Sequence, residues 1–153
     1  MKTRADGVCL AGASMKKVAW PSEVTAIKAN LRGAQIEQAC FRTANLRETD
    51  FTRATLAMCD FGNADLTDAK LEHANARGSL FIRANLTRVN AQRANFMETL
   101  LSNAVLSGAD FRKANLFRAM LSRARGDDAT RFTGANVESV LHEPRYQPKG
   151  GEP

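Results

Sequence analysis

Residues 84–118 read ANLTR-VNAQR-ANFME-TLLSN-AVLSG-ADFRK-ANLFR, seven units of five residues in unbroken succession. Each unit has a small residue, then usually Asn or Asp, then usually Leu or Phe, then two mostly polar residues. We name these the small, middle, central, first corner and second corner positions. The 95 residues from 29 to 123 make nineteen such units. A fixed period over most of a chain indicates a repeat architecture, in which stacked units share one core.

A period of five fits neither a helix, with 3.6 residues per turn, nor a strand alone, with a period of two. In extended backbone the small and central side chains point one way and the middle side chain points the other. The two corner positions must then turn the chain, and they include Gly33, Gly62, Gly78 and Gly108, which suit tight turns. We therefore predict a short extended side and a corner per unit, with two side chains inward and three outward.

Units such as Ala84-Asn85-Leu86 and Ala109-Asp110-Phe111 resemble the motif of the pentapeptide repeat family, A-(D/N)-(L/F)-x-x. The resemblance is strict over residues 29–123 and loose over 8–142. It implies an all-β fold, a right-handed quadrilateral parallel β-helix with four units per coil and short caps. At this length we expect about six coils, stacked at roughly 4.8 Å.

Four units per coil place central residues in inward columns, twenty positions apart, and we number the four walls after these columns. Wall 1 has Leu31, Phe51, Leu71, Ala91 and Phe111; wall 2 has Ile36, Leu56, Ala76, Phe96 and Leu116; wall 3 has Phe41, Phe61, Phe81, Leu101 and Leu121; wall 4 has Leu46, Leu66, Leu86 and Leu106. Wall 3 thus predicts a stack of three phenylalanines. Each buried Leu or Phe contributes roughly 1.5–3 kcal/mol, so no disulfide or metal is needed to hold this core.

The sequence predicts one domain with irregular ends. We expect an N-terminal cap and irregular first coil over 1–28, the regular β-helix over 29–123, an irregular last coil and C-terminal cap over 124–142, and a flexible tail over 143–153. The caps would cover the last core layers.

Both ends depart from the period by one residue. Eleven residues separate Trp20 from Leu31 and, at the other end, Leu121 from Phe132. We therefore place an inserted residue in each of two segments, 21–26 and 126–130. Trp20 is the expected lid of the core, and the segment from Glu138 to His142 is a candidate for a short turn of helix.

Charge bears on the best known activity of the family, which is to inhibit or protect DNA gyrase by resembling duplex DNA in shape and negative charge. This chain has a formal net charge of +6 and a pI of about 9.7. A basic protein would repel the surface that a DNA mimic must occupy. We keep gyrase binding as an alternative, for which Glu48, Asp65 and Asp68 are the first residues to test.

A basic stripe is the second candidate surface. One corner column reads Gly33, Arg53, His73, Arg93 and Lys113, with Lys70 and Arg112 nearby. Like charges at coil spacing could bind phosphate, nucleic acid or an acidic partner. The competing interpretation is a solvated face whose arginines pair with Asp50, Glu72 and Asp110. Because no aromatic side chains lie among these charges, nucleic acid is not the expected partner.

An apolar patch is the leading candidate interface. On wall 3 the middle position reads Cys40, Asp60, Leu80, Leu100 and Met120, so three successive coils carry an apolar residue where Asn or Asp is usual. Ile82 follows on the same face, and the adjoining wall adds Met97 and Phe117. Apolar residues in register on a polar wall usually mark an interface, whereas scattered ones need no explanation.

No catalytic arrangement is visible. His73 and His142 have no nucleophile and base nearby in sequence, and the cysteines Cys9, Cys40 and Cys59 do not cluster as zinc ligands or as a disulfide. We expect no cofactor and no metal. No signal peptide or membrane span is apparent, and the resemblance favours a bacterial, cytoplasmic protein, with secretion lacking a cleavable signal as a lesser alternative.

These features predict a non-catalytic scaffold that presents flat β-helix walls to a protein partner or to a second copy of itself. Neither nucleic acid nor a membrane is expected as its partner. By resemblance alone, an accessory or effector module of a secretion system is a further alternative.

Overall fold

The chain forms an all-β, four-sided parallel β-helix in a computed structural model that describes residues 4–17 and 24–141. Two short strands, β1 (Ser14–Lys16) and β2 (Gln35–Glu37), pair in parallel. Isolated parallel bridges join every further coil to the next. The described residues contain no helix, and hence none of the length and apolarity that crossing a membrane requires. The expected architecture is confirmed.

Bridged residues show where the register changes. Partners lie twenty residues apart through the middle of the chain, as in Asn85↔Val105, but twenty-one apart at the ends, as in Arg4↔Thr25 and Asp110↔Arg131. The extra residue of the C-terminal half therefore lies between Arg125 and Arg131, where the sequence indicates it. Trp20 and most of the N-terminal insertion lie outside the described residues. On wall 1 the bridged column has seven levels, from Cys9 to Arg131, where about six coils were expected.

Small and central side chains fill the core as predicted. Every central residue from Leu31 to Leu121 is at most 1% exposed. The wall 3 phenylalanines form the predicted stack, with ring centroids 5.0 Å apart for Phe41 and Phe61 and 4.9 Å apart for Phe61 and Phe81. These separations suit offset stacking. The result is a dry, continuous core behind all four walls.

Corners of the regular repeat are hydrogen-bonded turns with a left-handed residue at the second corner position, whereas the corner between Arg125 and Arg131, which holds the inserted residue, has no left-handed residue. In the turn that ends at Ala84, the amide of Ala84 donates to the carbonyl of Phe81 (3.0 Å), and Arg83 has φ 57°. Among the described residues, nineteen non-glycine residues adopt φ between 54° and 60°, which costs about 1–2 kcal/mol for each. Hydrogen bonds between coils offset this strain; the Arg83 amide, for example, donates to the carbonyl of Ser102 (3.0 Å).

Gly62 differs from the other corner glycines. Gly33, Gly78 and Gly108 have φ between 63° and 68°, as the turn prediction requires, but Gly62 occupies a first corner position without a positive φ. A Cβ at Gly62 would lie 3.0 Å from the Asp60 Oδ1 atom. Close approach of a side chain, and not turn geometry, therefore favours glycine at position 62.

The expected turn of helix near the C-terminus is wrong for the part that the structure describes. Residues 137–141 form another extended side and corner, with Ser139 at φ 56° and Leu141 bridged to Met120. The coil below offers unpaired backbone groups, and pairing with them satisfies more hydrogen bonds than one isolated helical turn would. His142 lies outside the described residues. The domain boundaries expected from the sequence stay predictions.

Candidate functional site

The middle position of each unit has a structural task. Its Asn or Asp side chain accepts a hydrogen bond from the backbone amide two residues later, as Asn85 Oδ1 does from Thr87 (3.1 Å) and Asp60 Oδ1 does from Gly62 (2.8 Å). The described residues contain twelve such bonds. They satisfy the first corner amide, which the backbone leaves without a partner. The sequence indicated only that these side chains point outward.

Wall 3 carries an unbroken apolar column in this same middle position. Leu80, Leu100, Met120 and Leu141 are bridged in succession, and we call these four residues the apolar column. The sequence predicted the first three. Leu141 was missed because it lies twenty-one residues beyond Met120, past the inserted residue. Leu141 is 57% exposed, whereas the other three are half-buried because their neighbours partly cover them.

Where the apolar column replaces Asn or Asp, the corner hydrogen bonds are missing. The backbone amides of Ile82, Ser102 and Ser122 lie where a middle Asn or Asp would accept, and no acceptor for them exists in the described part of the chain. A hydrogen bond of this kind contributes about 0.5–1.5 kcal/mol. Apolar residues at these positions are therefore not structurally neutral replacements.

The remaining members of the predicted patch divide into two groups. Ile82 lies on wall 3 beside Leu80, at a first corner position. Met97 and Phe117 are neighbours in one column of wall 2, across the edge that holds Glu98. All three side chains are half-buried. The structure thus groups Ile82 with the apolar column and sets the other two around a corner.

That edge holds one further apolar side chain, which the sequence pattern did not predict. Met58 occupies a second corner position between walls 2 and 3, is 59% exposed, and has its Cγ atom 3.6 Å from the Cβ position of Gly78. An apolar residue at a normally polar second corner position was the signal that could have identified it.

Four residues of the predicted basic stripe lie on one edge of the β-helix. Arg53, His73, Arg93 and Lys113, here called the basic column, occupy successive second corner positions between walls 1 and 2 and are all exposed. Arg53, Arg93 and Lys113 make no ion pair with any described residue. Of the three carboxylates expected to neutralise the stripe, Asp50 pairs with Arg32 and Asp110 with Arg112, while Glu72 lies 3.8 Å from the Nε2 atom of His73.

The two outlying members of the predicted stripe differ from this column. Arg112 is neutralised by Asp110, with 2.7 Å between its Nη2 atom and the Oδ2 atom of the carboxylate. Lys70 is exposed in the middle of wall 1, bridged to Asp50 and Asn90. The uncompensated charge is therefore concentrated on the edge and not spread over the wall.

Acidic side chains are neutralised locally. Nine carboxylates in the described residues pair with Arg or Lys. They include the three singled out for gyrase binding, because Glu48 pairs with Lys28, Asp65 with Arg47 and Asp68 with Arg88. Hydrogen bonds from the Arg88 guanidinium hold the pKa of Asp68 below its usual value. The walls described here present no continuous acidic face.

Behind the apolar column lies a buried row of small polar side chains at small positions. The hydroxyls of Ser79 and Thr99 donate to the carbonyls of Leu56 and Phe96, so both are satisfied inside the core. Burial raises the pKa of the Cys59 thiol to about 11, which makes this thiol a poor nucleophile at neutral pH. None of the three cysteines is disulfide-bonded. Within the described ranges, His, Cys, Asp and Glu form no group of three or more able to hold a metal ion.

These features define a class of protein, namely a β-helical solenoid in which the outward side chains carry the distinguishing chemistry. The family model for pentapeptide repeats matches residues 29–68, 64–103 and 94–125, with eight copies of the repeat. These spans cover well over half of the chain. The protein therefore belongs to the pentapeptide repeat family, and its β-helix is right-handed and quadrilateral.

Solved structures of other proteins resemble this one to different degrees. A pentapeptide repeat protein from the Arabidopsis thaliana thylakoid lumen is 24% identical with a TM-score of 0.61, over 64% of this chain and 67% of that one. The cyanobacterial protein Rfr23 from Cyanothece 51142 is 21% identical with a TM-score of 0.48, over 92% and 91% of the two chains. QnrB1, a plasmid-mediated fluoroquinolone resistance protein, is 16% identical with a TM-score of 0.30, over 94% and 92%. The likeness to the Arabidopsis protein shows the fold alone. No curated protein sequence matches this chain.

Proposed function

We propose that this protein is a non-catalytic interaction module that binds a protein partner through the apolar column on wall 3. One observation carries the proposal. At four successive levels, Leu80, Leu100, Met120 and Leu141 replace the Asn or Asp whose side chain would cap the corner. Other walls also lose the middle Asn or Asp, at Gln35, Thr55, Lys70 and Val105 among others, but most of these replacements are polar. A run of four apolar replacements occurs on wall 3, as a binding surface would require.

The arrangement suits binding in two further ways. Covering contiguous apolar side chains with a partner removes apolar surface from water, which favours binding. The wall beneath them is held by a stacked core and inter-coil hydrogen bonds, so little conformational entropy is lost on binding.

Affinity capture from the native cell, followed by quantitative mass spectrometry, tests the proposal. The double variant Leu80→Asn plus Leu100→Asn removes two apolar side chains and supplies the side-chain acceptors that the corners lack. We expect at least one protein that the parent captures to be lost with this variant, while circular dichroism shows an intact fold.

Val105→Asn provides a matched control. Val105 occupies a middle position of wall 4, bridged to Asn85, so the same kind of change is made outside the apolar column. This control should capture what the parent captures. If the double variant also captures the parent's full set of proteins, the apolar column is not the interface.

Gyrase binding by DNA mimicry remains an alternative with a structural observation against it. The carboxylates of Glu48, Asp65 and Asp68 each lie within 3.6 Å of a basic nitrogen, so they do not present free negative charge. We expect no inhibition of gyrase supercoiling at about micromolar concentration, because the net positive charge opposes docking on a DNA-binding surface. Strong inhibition in that assay would restore the alternative. No observation favours a role in secretion.

Binding of a phosphate-bearing or acidic ligand to the basic column is a second candidate function. It is favoured by the absence of described ion-pair partners for Arg53, Arg93 and Lys113. A labelled single-stranded oligonucleotide and a polyglutamate peptide can serve as probes at increasing salt. Salt-sensitive binding that Arg53→Glu plus Arg93→Glu abolishes would support this function, and salt-independent or absent binding would dismiss it.

We infer a cytoplasmic location from the thiols. Cys9, Cys40 and Cys59 are all unbonded, which suits a reducing compartment. Fractionation of cells that express the tagged protein tests this inference, and recovery from the medium or an oxidising compartment would refute it.

A further inference from the structure

The residues around the apolar column indicate which kind of partner it binds. This inference rests on the proposed function. The extended sides of wall 3 are already paired with the coils above and below. The amide of Leu100 donates to the carbonyl of Ser79 (3.1 Å), and its carbonyl accepts from the amide of Phe81 (2.7 Å). A partner therefore cannot add a strand to this wall, as it could to an open sheet edge. It must instead bind the outward face of the wall, which presents the apolar side chains and the unpaired corner amides.

The dimensions of the column match a short helix. From Leu80 to Leu141 there are three inter-coil steps of about 4.8 Å, or roughly 14 Å in all. An α-helix has a pitch of about 5.4 Å, so two to three turns span the column. Apolar residues along one face of such a helix would lie between successive levels of the wall.

The borders of the column are positively charged. Arg83, at the edge with wall 4, makes no ion pair in the described part of the chain. Arg118, at the edge with wall 2, has its Cζ atom 5.0 Å from the centroid of the Phe117 ring and makes no ion pair with any described residue. Glu98, on that same edge, is neutralised by Arg77 (3.3 Å). The net charge of the described residues that border the apolar column is therefore positive.

This charge pattern argues against a second copy as the occupant. The acidic side chains of wall 3 and of its edge with wall 2, Asp60 and Glu98, are paired with Arg42 and Arg77 in the described part of the chain. The same wall of a second copy would therefore bring its own Arg83 and Arg118 and no unpaired carboxylate from its described residues. Symmetric dimers pair the same patch with itself, and like charges brought together in an interface are costly.

We infer that the apolar column binds an amphipathic helical segment of another protein, with an apolar stripe bordered by acidic side chains. The stripe covers Leu80, Leu100, Met120 and Leu141. Its flanking carboxylates meet Arg83 and Arg118, which supply charge complementarity on both sides.

Two designed peptides test the inference by fluorescence anisotropy. The first is a labelled helix of about fourteen residues with Leu along one face and Glu on both borders; the second has Lys in place of every Glu. The parent protein should bind the Glu peptide about tenfold more tightly than the Lys peptide at low salt, and the difference should shrink as salt screens it.

Protein variants sharpen this experiment. Arg83→Glu plus Arg118→Glu should reverse the preference in favour of the Lys peptide. Leu80→Asn plus Leu100→Asn should lose binding of both peptides, and Val105→Asn should behave as the parent does. Circular dichroism establishes that each variant is folded.

Four results would overturn the inference. They are equal binding of the two peptides, binding of neither, binding instead to phosphatidylglycerol vesicles, and a parent dimer in sedimentation that Leu80→Asn plus Leu100→Asn dissociates. If any of these occurs while the native partner is still lost with the double variant, the proposed function stands and only the chemistry of the partner is wrong.

Discussion

Walls 2 and 3 have the same backbone conformation at the same levels of the β-helix, but their middle residues differ in chemistry and in hydrogen bonding. On wall 2, Asn75, Asn95, Asn115 and Asn136 form a bridged column in which each amide oxygen accepts from a corner amide. On wall 3 the corresponding column is Leu80, Leu100, Met120 and Leu141, and those bonds are absent. The repeat thus favours a stabilising Asn or Asp at the middle position, and the run of four apolar replacements on wall 3 is a loss that selection for folding alone does not explain.

The largest predicted effect is a difference in stability between substitutions of inward-pointing and outward-pointing residues of wall 3. Leu101 is fully buried and Leu100, its neighbour in sequence, points outward. Leu101→Asp places a charge in a dry column, at a cost of several kcal/mol, which is comparable with the whole stability of a small domain. We expect this variant to be unfolded in circular dichroism, whereas Leu100→Asp should melt near the parent temperature. Similar melting of both variants would show that the inward and outward assignments are wrong.

The reverse exchange on wall 2 should have a moderate effect. Asn95 accepts from the Met97 amide (3.1 Å), and its Nδ2 atom donates to Asn75 Oδ1 (3.1 Å). Asn95→Leu removes both bonds, so we expect the free energy of unfolding to fall by about 1–2 kcal/mol. Denaturant titration measures this change. An unchanged midpoint would mean that the middle Asn contributes little and that wall 3 loses nothing by lacking it.

Restoring the repeat on wall 3 should have a smaller effect of opposite sign. Leu100→Asn supplies an acceptor for the Ser102 amide but gives up part of the contact with Leu80 and Met120. We expect a net gain of about 0.5–1 kcal/mol in the free energy of unfolding, as consensus substitutions commonly achieve. Asn75→Asp, which keeps the acceptor on wall 2, is a control that should change little. Destabilisation by Leu100→Asn would indicate that the apolar column serves the fold.

The smallest predicted effect distinguishes Asp from Asn in the same structural role. Partial burial by itself raises the pKa of Asp110, but hydrogen bonds from the Arg112 side chain and backbone outweigh it and leave the pKa below its usual value. The stabilisation from this depressed pKa is present above the unfolded pKa of about 3.9 and is lost as pH falls through the lower folded value.

Asp110→Asn tests that pH dependence. The variant should lose about 0.5 kcal/mol at neutral pH and should show a shallower loss of stability than the parent between about pH 4 and pH 2. Asn115→Ala, which removes a non-titrating acceptor, should leave the shape of the pH profile unchanged. If the parent and Asp110→Asn have parallel profiles down to low pH, the Arg112 hydrogen bonds do not stabilise the fold measurably.

Much of the fold could be read from residue spacing, because a period of five decides which side chains point inward. Leu86, Phe81 and Leu101 are buried where the period places them. Gly62 shows the limit of this reading, since its preference comes from the approach of the Asp60 side chain and not from the turn.

The candidate site was predictable only in part. Leu80, Leu100 and Met120 stand out because they replace Asn or Asp in register. Leu141 required knowledge of where the chain absorbs its extra residue, and the exposure of Met58 depended on the lack of a side chain at Gly78.

By itself, then, the sequence determined the solenoid, its inward columns and the apolar departure on wall 3, since these follow from local periodicity and the side-chain alternation of extended backbone. Only the tertiary structure decided that the middle Asn and Asp cap the corners, that acidic side chains are neutralised by arginines about eighteen to twenty residues away, and that the apolar column continues to Leu141. Each of these depends on which residues the stacking of coils brings together, and such contacts are set by register across coils and not by neighbours along the chain.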